Sequence, residues 1–151
     1  MCRVTAGARL VLTLALPLAF LVACGGGRPI GLEDREWFLV ALGDPDLPTP
    51  TDPARPATAT FAQGQVSGRG PCNGFRATYQ LATEDEPENT LSIGDVASTR
   101  ALCGDPVLDD QETRYLSYLP MAVSYTLEDG TLRIDTARGP ILVFSDEAAA
   151  D

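Results

Sequence analysis

Between Glu36 and Phe144 the chain is a series of short runs in which apolar and polar residues alternate, broken by glycine, proline and acidic clusters. A period of two predicts strands with one buried face. The first run, Glu36 to Leu42 (EWFLVAL), puts Trp37 and Leu39 on one face and Phe38 and Val40 on the other. Further short strands are predicted over Thr58 to Gln63, Val66 to Arg69, Phe75 to Leu81, Thr90 to Ile93 and Val96 to Thr99. In VSYTLEDGTLRID, residues 123 to 135, Asp129 and Gly130 separate two alternating runs, the pattern of a tight hairpin. Val123, Tyr125 and Leu127 are expected on one face, as are Leu132 and Ile134. Gly139 and Pro140 then turn the chain into ILVF, residues 141 to 144, apolar on both faces. The proline-rich stretch from Asp44 to Pro56 reads as an extended loop, and EDEPEN, residues 84 to 89, as a solvated turn.

The period changes once. Asp105 followed by Pro106 is a helix start, an N-cap oxygen ahead of a residue whose missing amide costs nothing in the first turn. Leu108, Tyr115 and Leu119 recur at helical spacing with Gln111 and Glu112 between them, and Pro120 ends the run. Eight or nine strands and one helix predict a mainly β, α+β fold: a small antiparallel sheet curling into a partly closed barrel, with the helix packed against it. Parallel βαβ winding is excluded because the connections carry no helices.

The amino terminus follows different rules. Arg3 and Arg9 precede an uncharged run from Leu10 to Ala23, the order of a secretory leader, and the run is shorter than the roughly 18 to 20 residues of a spanning helix. It ends Leu21, Val22, Ala23, Cys24, which resembles the lipobox of bacterial lipoproteins, in which the cysteine is lipidated and becomes the first residue. The expected organisation is a leader over residues 1–23 and a flexible tether over 24–32 beginning at lipidated Cys24. A single domain over 33–145 follows, then a frayed tail over 146–151.

Charge and composition remove several functions. The net charge is −10, and losing Arg3 and Arg9 makes the exported chain more acidic still, the wrong sign for nucleic acid. Histidine is absent, which removes histidine-dependent triads and most zinc sites. With Cys2 in the leader and Cys24 lipidated, Cys72 and Cys103 remain, too few for a structural zinc centre. An oxidising compartment favours a disulfide between them. The alternative is a reactive thiolate near Arg69, Arg76 or Arg100, none of which accepts a proton. No cofactor and no metal is expected.

An ordered set of residues resembles the META domain family, also called HslJ-like: Trp37, then V-S-G ending at Gly68, Cys72 with Asn73, Phe75 and Tyr79, Thr99 four residues before Cys103, Glu112 in the helix, and the final hairpin and strand. Pro71 and Ala77 stand where the family usually has glycine. The resemblance implies paired cysteines and an exported or lipid-anchored envelope protein, sometimes linked to stress or drug tolerance, with no established catalysis.

Three functions follow as expectations. The first is a non-catalytic lipoprotein, held to the membrane by its lipid, that binds an envelope protein or a small ligand or serves envelope stress or stability. The second is a carrier of a small apolar ligand inside the barrel. The third is a hydrolase using Asp109 with Glu112, three residues apart on one helical face. The family-motif residues Trp37, Gly68, Asn73, Tyr79, Thr99 and Glu112 are expected to be structural or binding residues: Trp37 in the core, with ligand stacking as its alternative, Asn73 beside Gly74 as a turn former, Thr99 as a locally bonding strand residue.

Overall fold

The computed structural model describes residues 31–148, so the expected leader, Cys24 and the last three residues lie outside the described part. Ten strands form one continuous antiparallel sheet. They are β1 (Glu36–Gly43), β2 (Thr49–Pro50), β3 (Thr58–Ala62), β4 (Gln65–Arg69), β5 (Gly74–Leu81), β6 (Leu91–Ile93), β7 (Ala97–Ser98), β8 (Ala122–Glu128), β9 (Thr131–Thr136) and β10 (Ile141–Ser145). Among the described residues the single α-helix, α1 (Pro106–Tyr118), runs into a 3-10 turn (Leu119–Met121).

The strand order is β6-β5-β4-β3-β1-β10-β9-β8, with β2 added to β1 and β7 to β5. The two outer strands meet through a Thr90–Ser124 bridge and a Tyr125 amide donating to the Asn89 carbonyl at 2.9 Å, which nearly closes the barrel. Closure removes the exposed edges that an open sheet would leave. The interior holds Trp37, Phe61, Tyr115 and Phe144, all fully buried, and edge-on ring contacts join Phe61 to Tyr79 and Phe75 to Tyr115.

The pattern of alternation predicts this well, with informative exceptions. Asp129 and Gly130 both have positive φ, as a two-residue turn requires, and so do Gln63 and Gly64. The strand expected to run through Gln63 therefore stops at Ala62, and the chain reverses at Gln63-Gly64. The proline-rich loop is not wholly irregular, because Thr49 and Pro50 pair with Leu42 and Ala41 as β2. Val123 is 44% exposed and does not share the buried face of Tyr125 and Leu127. Ala122 pairs with Thr136 and Ser124 with Asp135, so Val123 is the extra residue of a bulge that reverses its facing. A second bulge at Val40 lets Trp37, Leu39 and Leu42 all point inward on β1.

The helix starts as its sequence predicts: the Asp105 carboxylate accepts from the Val107 amide at 2.8 Å, and Pro106 opens the first turn. Its buried face is Leu108, Glu112 and Tyr115, continued by Leu119 in the turn that follows. It closes the barrel end where β3 and β5 begin and β4 finishes, the Tyr115 hydroxyl donating to the Thr58 carbonyl at 3.0 Å. The other end is strapped by the entering chain. Leu32, within the expected tether, is 4% exposed and joins the core, while Asp146, within the expected tail, pairs with Arg35 at 2.8 Å. The hydrophobic interior and the strapped end thus draw in one residue beyond each expected domain boundary.

Candidate functional site

A carboxylate in the middle of an apolar helix face has to be matched by donors, and Glu112, 6% exposed, is matched completely. Its Oε1 accepts from the backbone amides of Cys72 at 3.0 Å and Asn73 at 2.8 Å, and its Oε2 from the Asn73 Nδ2. Charge-assisted bonds of this kind are stronger than neutral ones. One turn earlier, Asp109 Oδ1 accepts from the Cys103 amide at 2.9 Å. The helix therefore holds the backbone of both cysteines through two acidic side chains.

The cysteines are bonded to each other, with Cα atoms 5.3 Å apart across a sequence separation of 31. Cys72, Cys103 and Glu112 bring their ligand-type atoms within 4.8 Å of one another, which would suit a metal only if those atoms were free. The sulfurs are consumed by the disulfide and the carboxylate by its three donors.

Asn73 links the parts. It is 4% exposed; its Oδ1 accepts from the Thr99 hydroxyl at 2.8 Å and the Ala101 amide at 2.7 Å, and its Nδ2 donates to the Ala101 carbonyl at 2.8 Å as well as to Glu112. Its backbone carbonyl accepts from Gly70 at 2.7 Å. Asn73 is thus far more than a turn former: it ties the β4–β5 corner to the segment before the helix.

Glycines make the approach possible. A Cβ on Gly70 would lie 2.3 Å from Glu112 Oε1, and one on Gly68 would lie 2.0 Å from the Thr58 carbonyl oxygen. The two departures from the family pattern are harmless here. Pro71 lacks an amide, but Glu112 draws its backbone donors from the two residues after it; Ala77 is buried on the inner face of β5, opposite Val66.

Trp37 and Tyr79 belong to the opposite end. The Trp37 indole is fully buried, its Nε1 donates to the Leu32 carbonyl at 2.9 Å, and the Arg35 guanidinium lies 5.4 Å from the ring centroid. Tyr79 donates its hydroxyl to Glu33, and burial, helped by that bond and by the Glu33 charge, pushes its pKa up to about 12. The predicted residues therefore divide in two: Gly68, Cys72, Asn73, Thr99, Cys103 and Glu112 gather at the helix end, Trp37 and Tyr79 at the strapped end. Sequence reading missed Gly70 and Asp109's amide cap. The only sign of the second is the three-residue spacing from Glu112, which reads equally as an acidic pair.

A nearly closed antiparallel barrel, plugged by a helix whose carboxylates hold a disulfide-linked corner, defines the class. The META domain model matches residues 31–149, and the chain belongs to that family. Among solved structures it is similar to a protein from Burkholderia xenovorans studied by NMR, at 25% identity and a TM-score of 0.61, covering 76% of this chain and 82% of that one. It also resembles a DUF4847 family protein from Bacteroides vulgatus, at 13% identity and a TM-score of 0.56 over 79% of this chain and 96% of that one, a likeness of fold. No curated protein matches the chain.

Proposed function

We propose that the protein is a lipid-anchored component of the bacterial cell envelope, with a non-catalytic binding or stabilising role. The observation that carries this reading is the use of every reactive-type group at the helix end for architecture. Both sulfurs are in a disulfide, and Glu112 and Asp109, the pair that an acid–base hydrolase would need, accept backbone amides of the cysteine segments. Carboxylates so engaged already serve as acceptors of backbone hydrogen bonds. Export fits the disulfide, which an oxidising compartment maintains. The carrier reading draws no support from an interior already filled by Trp37, Phe61, Tyr115 and Phe144.

Anchoring through Cys24 would give the domain a direction. The chain enters at the strapped end, through Leu32 and Glu33, so eight residues of tether span at most roughly 26 to 29 Å from the lipid. The strapped end then faces the bilayer, and the helix end faces away from it. Acyl chains buried at about 0.8 kcal/mol per methylene hold a doubly or triply acylated protein firmly. Fractionation of cells producing the natural chain and Cys24→Ser, with mass analysis of the amino terminus, tests the anchor. The expected result is an acylated, membrane-retained natural protein and a soluble variant; equal membrane retention of the two would refute it.

A further inference from the structure

The outer face of the sheet carries a second feature, which borders the helix-end network at Gly68 and Thr99 and is independent of any lipid. Where β1, β3, β4, β5 and β7 lie side by side, a groove of about 660 Å³ opens between the side chains of Glu36, Ser67, Arg69, Arg76 and Ser98. Its floor is low because Gly68, Gly74 and Ala97 contribute little or no side chain.

The two arginines stand next to each other. Arg69 pairs with Gly74 and Arg76 with Ser67, so both project outward from adjacent antiparallel strands as diagonal neighbours, roughly 7 to 8 Å apart along the sheet in ordinary geometry. Like charges so placed repel. A chain this acidic has carboxylates to spare for them, yet among the described residues the ion pairs engage Arg35, Arg114 and Arg133 instead. Neither guanidinium has a hydrogen-bond partner among the described residues. Arg55 joins Arg69 around an adjoining recess of about 280 Å³, adding a third cation with no ion pair among the described residues.

The opposite wall has the other sign. Glu36 pairs with Thr60, Thr60 with Ser67 and Ser67 with Arg76, so one row across four strands runs from a carboxylate, over two hydroxyl side chains, to an arginine. Three strand spacings put the ends of that row about 14 Å apart at the backbone, and the long side chains of Glu36 and Arg76 narrow the distance. Two guanidinium forks side by side match a doubly charged phosphate, which offers them several acceptor oxygens. The Glu36 carboxylate at the far end, with the Thr60 and Ser67 hydroxyls along the row, matches hydroxyl groups. We propose that this groove binds a small phosphorylated sugar or polyol, with the phosphate on Arg69 and Arg76 and the hydroxylated body reaching toward Glu36.

Titration of ¹⁵N-labelled protein, exported with its own leader and carrying Cys24→Ser, tests this with glucose 6-phosphate as the probe. Saturable shifts should appear in the amides of residues 67–69, 74–76 and 97–99. Glucose alone, and sodium chloride at matched ionic strength, should leave those amides unmoved. Arg69→Gln and Arg76→Gln, at exposed positions, should each weaken binding tenfold or more with the rest of the spectrum intact. Glu36→Gln should weaken glucose 6-phosphate while leaving the response to inorganic phosphate unchanged. Absence of saturation, an equal response to chloride, or an unchanged titration in both arginine variants would overturn the proposal. So would arginine-dependent sedimentation with anionic phospholipid vesicles without any saturable response to the soluble probe.

Discussion

At the helix end of the barrel, a covalent bond and a buried polar network hold segments that lie far apart in sequence; at the strapped end, aromatic packing, one buried indole hydrogen bond and a few half-exposed polar contacts do the same task. Glu112 reaches Asn73 across 39 positions and is almost wholly removed from water. Arg35 and Asp146 form a partly exposed pair, their side chains 33% and 25% accessible. The same kind of interaction, charge meeting a polar partner, therefore has different weight at the two ends. Desolvated groups cannot fall back on water when a partner is lost, whereas half-exposed ones can.

The largest effect is expected from Glu112→Ala. It leaves the Cys72 amide, the Asn73 amide and one of the two Asn73 Nδ2 protons without an acceptor in a largely buried setting, while Nδ2 keeps the Ala101 carbonyl, a loss of about 3 to 5 kcal/mol. Urea denaturation measures it, and Glu112→Gln, which retains one acceptor oxygen, should recover part of the loss. Removing the disulfide by Cys72→Ser with Cys103→Ser comes next, at about 3 to 4 kcal/mol for a loop of this length. Its proper reference is the oxidised natural protein under the same conditions.

The strapped end responds to alkali. The Tyr79 phenol ionises near 12 in the folded protein, above its ordinary value of about 10, because burial first and the bond to Glu33 second oppose the charged form. Burial also raises Tyr115 well above the ordinary value. A phenol whose pKa is raised by folding contributes stability that is fully present below pH 10 and is lost as pH rises toward 12, since the unfolded chain gives up that proton first. Denaturation midpoints should therefore fall steeply between pH 10 and 12, and Tyr79→Phe should flatten part of the fall. The smallest effect is expected for Arg35→Ala, which removes an ion pair and a cation–π contact that are both partly exposed: about 1 kcal/mol or less. A loss there as large as that of Glu112→Ala would erase the contrast between the ends.

How far the sequence anticipates this molecule follows the range of the interactions. Asp105-Pro106 and Asp129-Gly130 are local instructions, executed within a turn, and both read directly. The alternation in β1, β5 and β9 depends on one buried face and is equally legible. The bulges at Val40 and Val123 are not, because they are set by the partner strands, and a single extra residue reverses which side chain faces the core. The site divides the same way. Cys72 and Cys103 read as a pair by elimination and compartment, and Glu112 stands out by family pattern. What Glu112 holds was hidden, since nothing near it in sequence identifies amides 39 and 40 positions away as its partners.

The central claim is that disulfide and carboxylate form one unit, the bond placing the Cys72 and Asn73 amides where Glu112 can accept them. A double-mutant cycle combining Glu112→Ala with the Cys72→Ser, Cys103→Ser pair, read by equilibrium unfolding in urea, measures that coupling. The account predicts that Glu112→Ala costs less than half as much without the disulfide as with it. Two costs that simply add would contradict it.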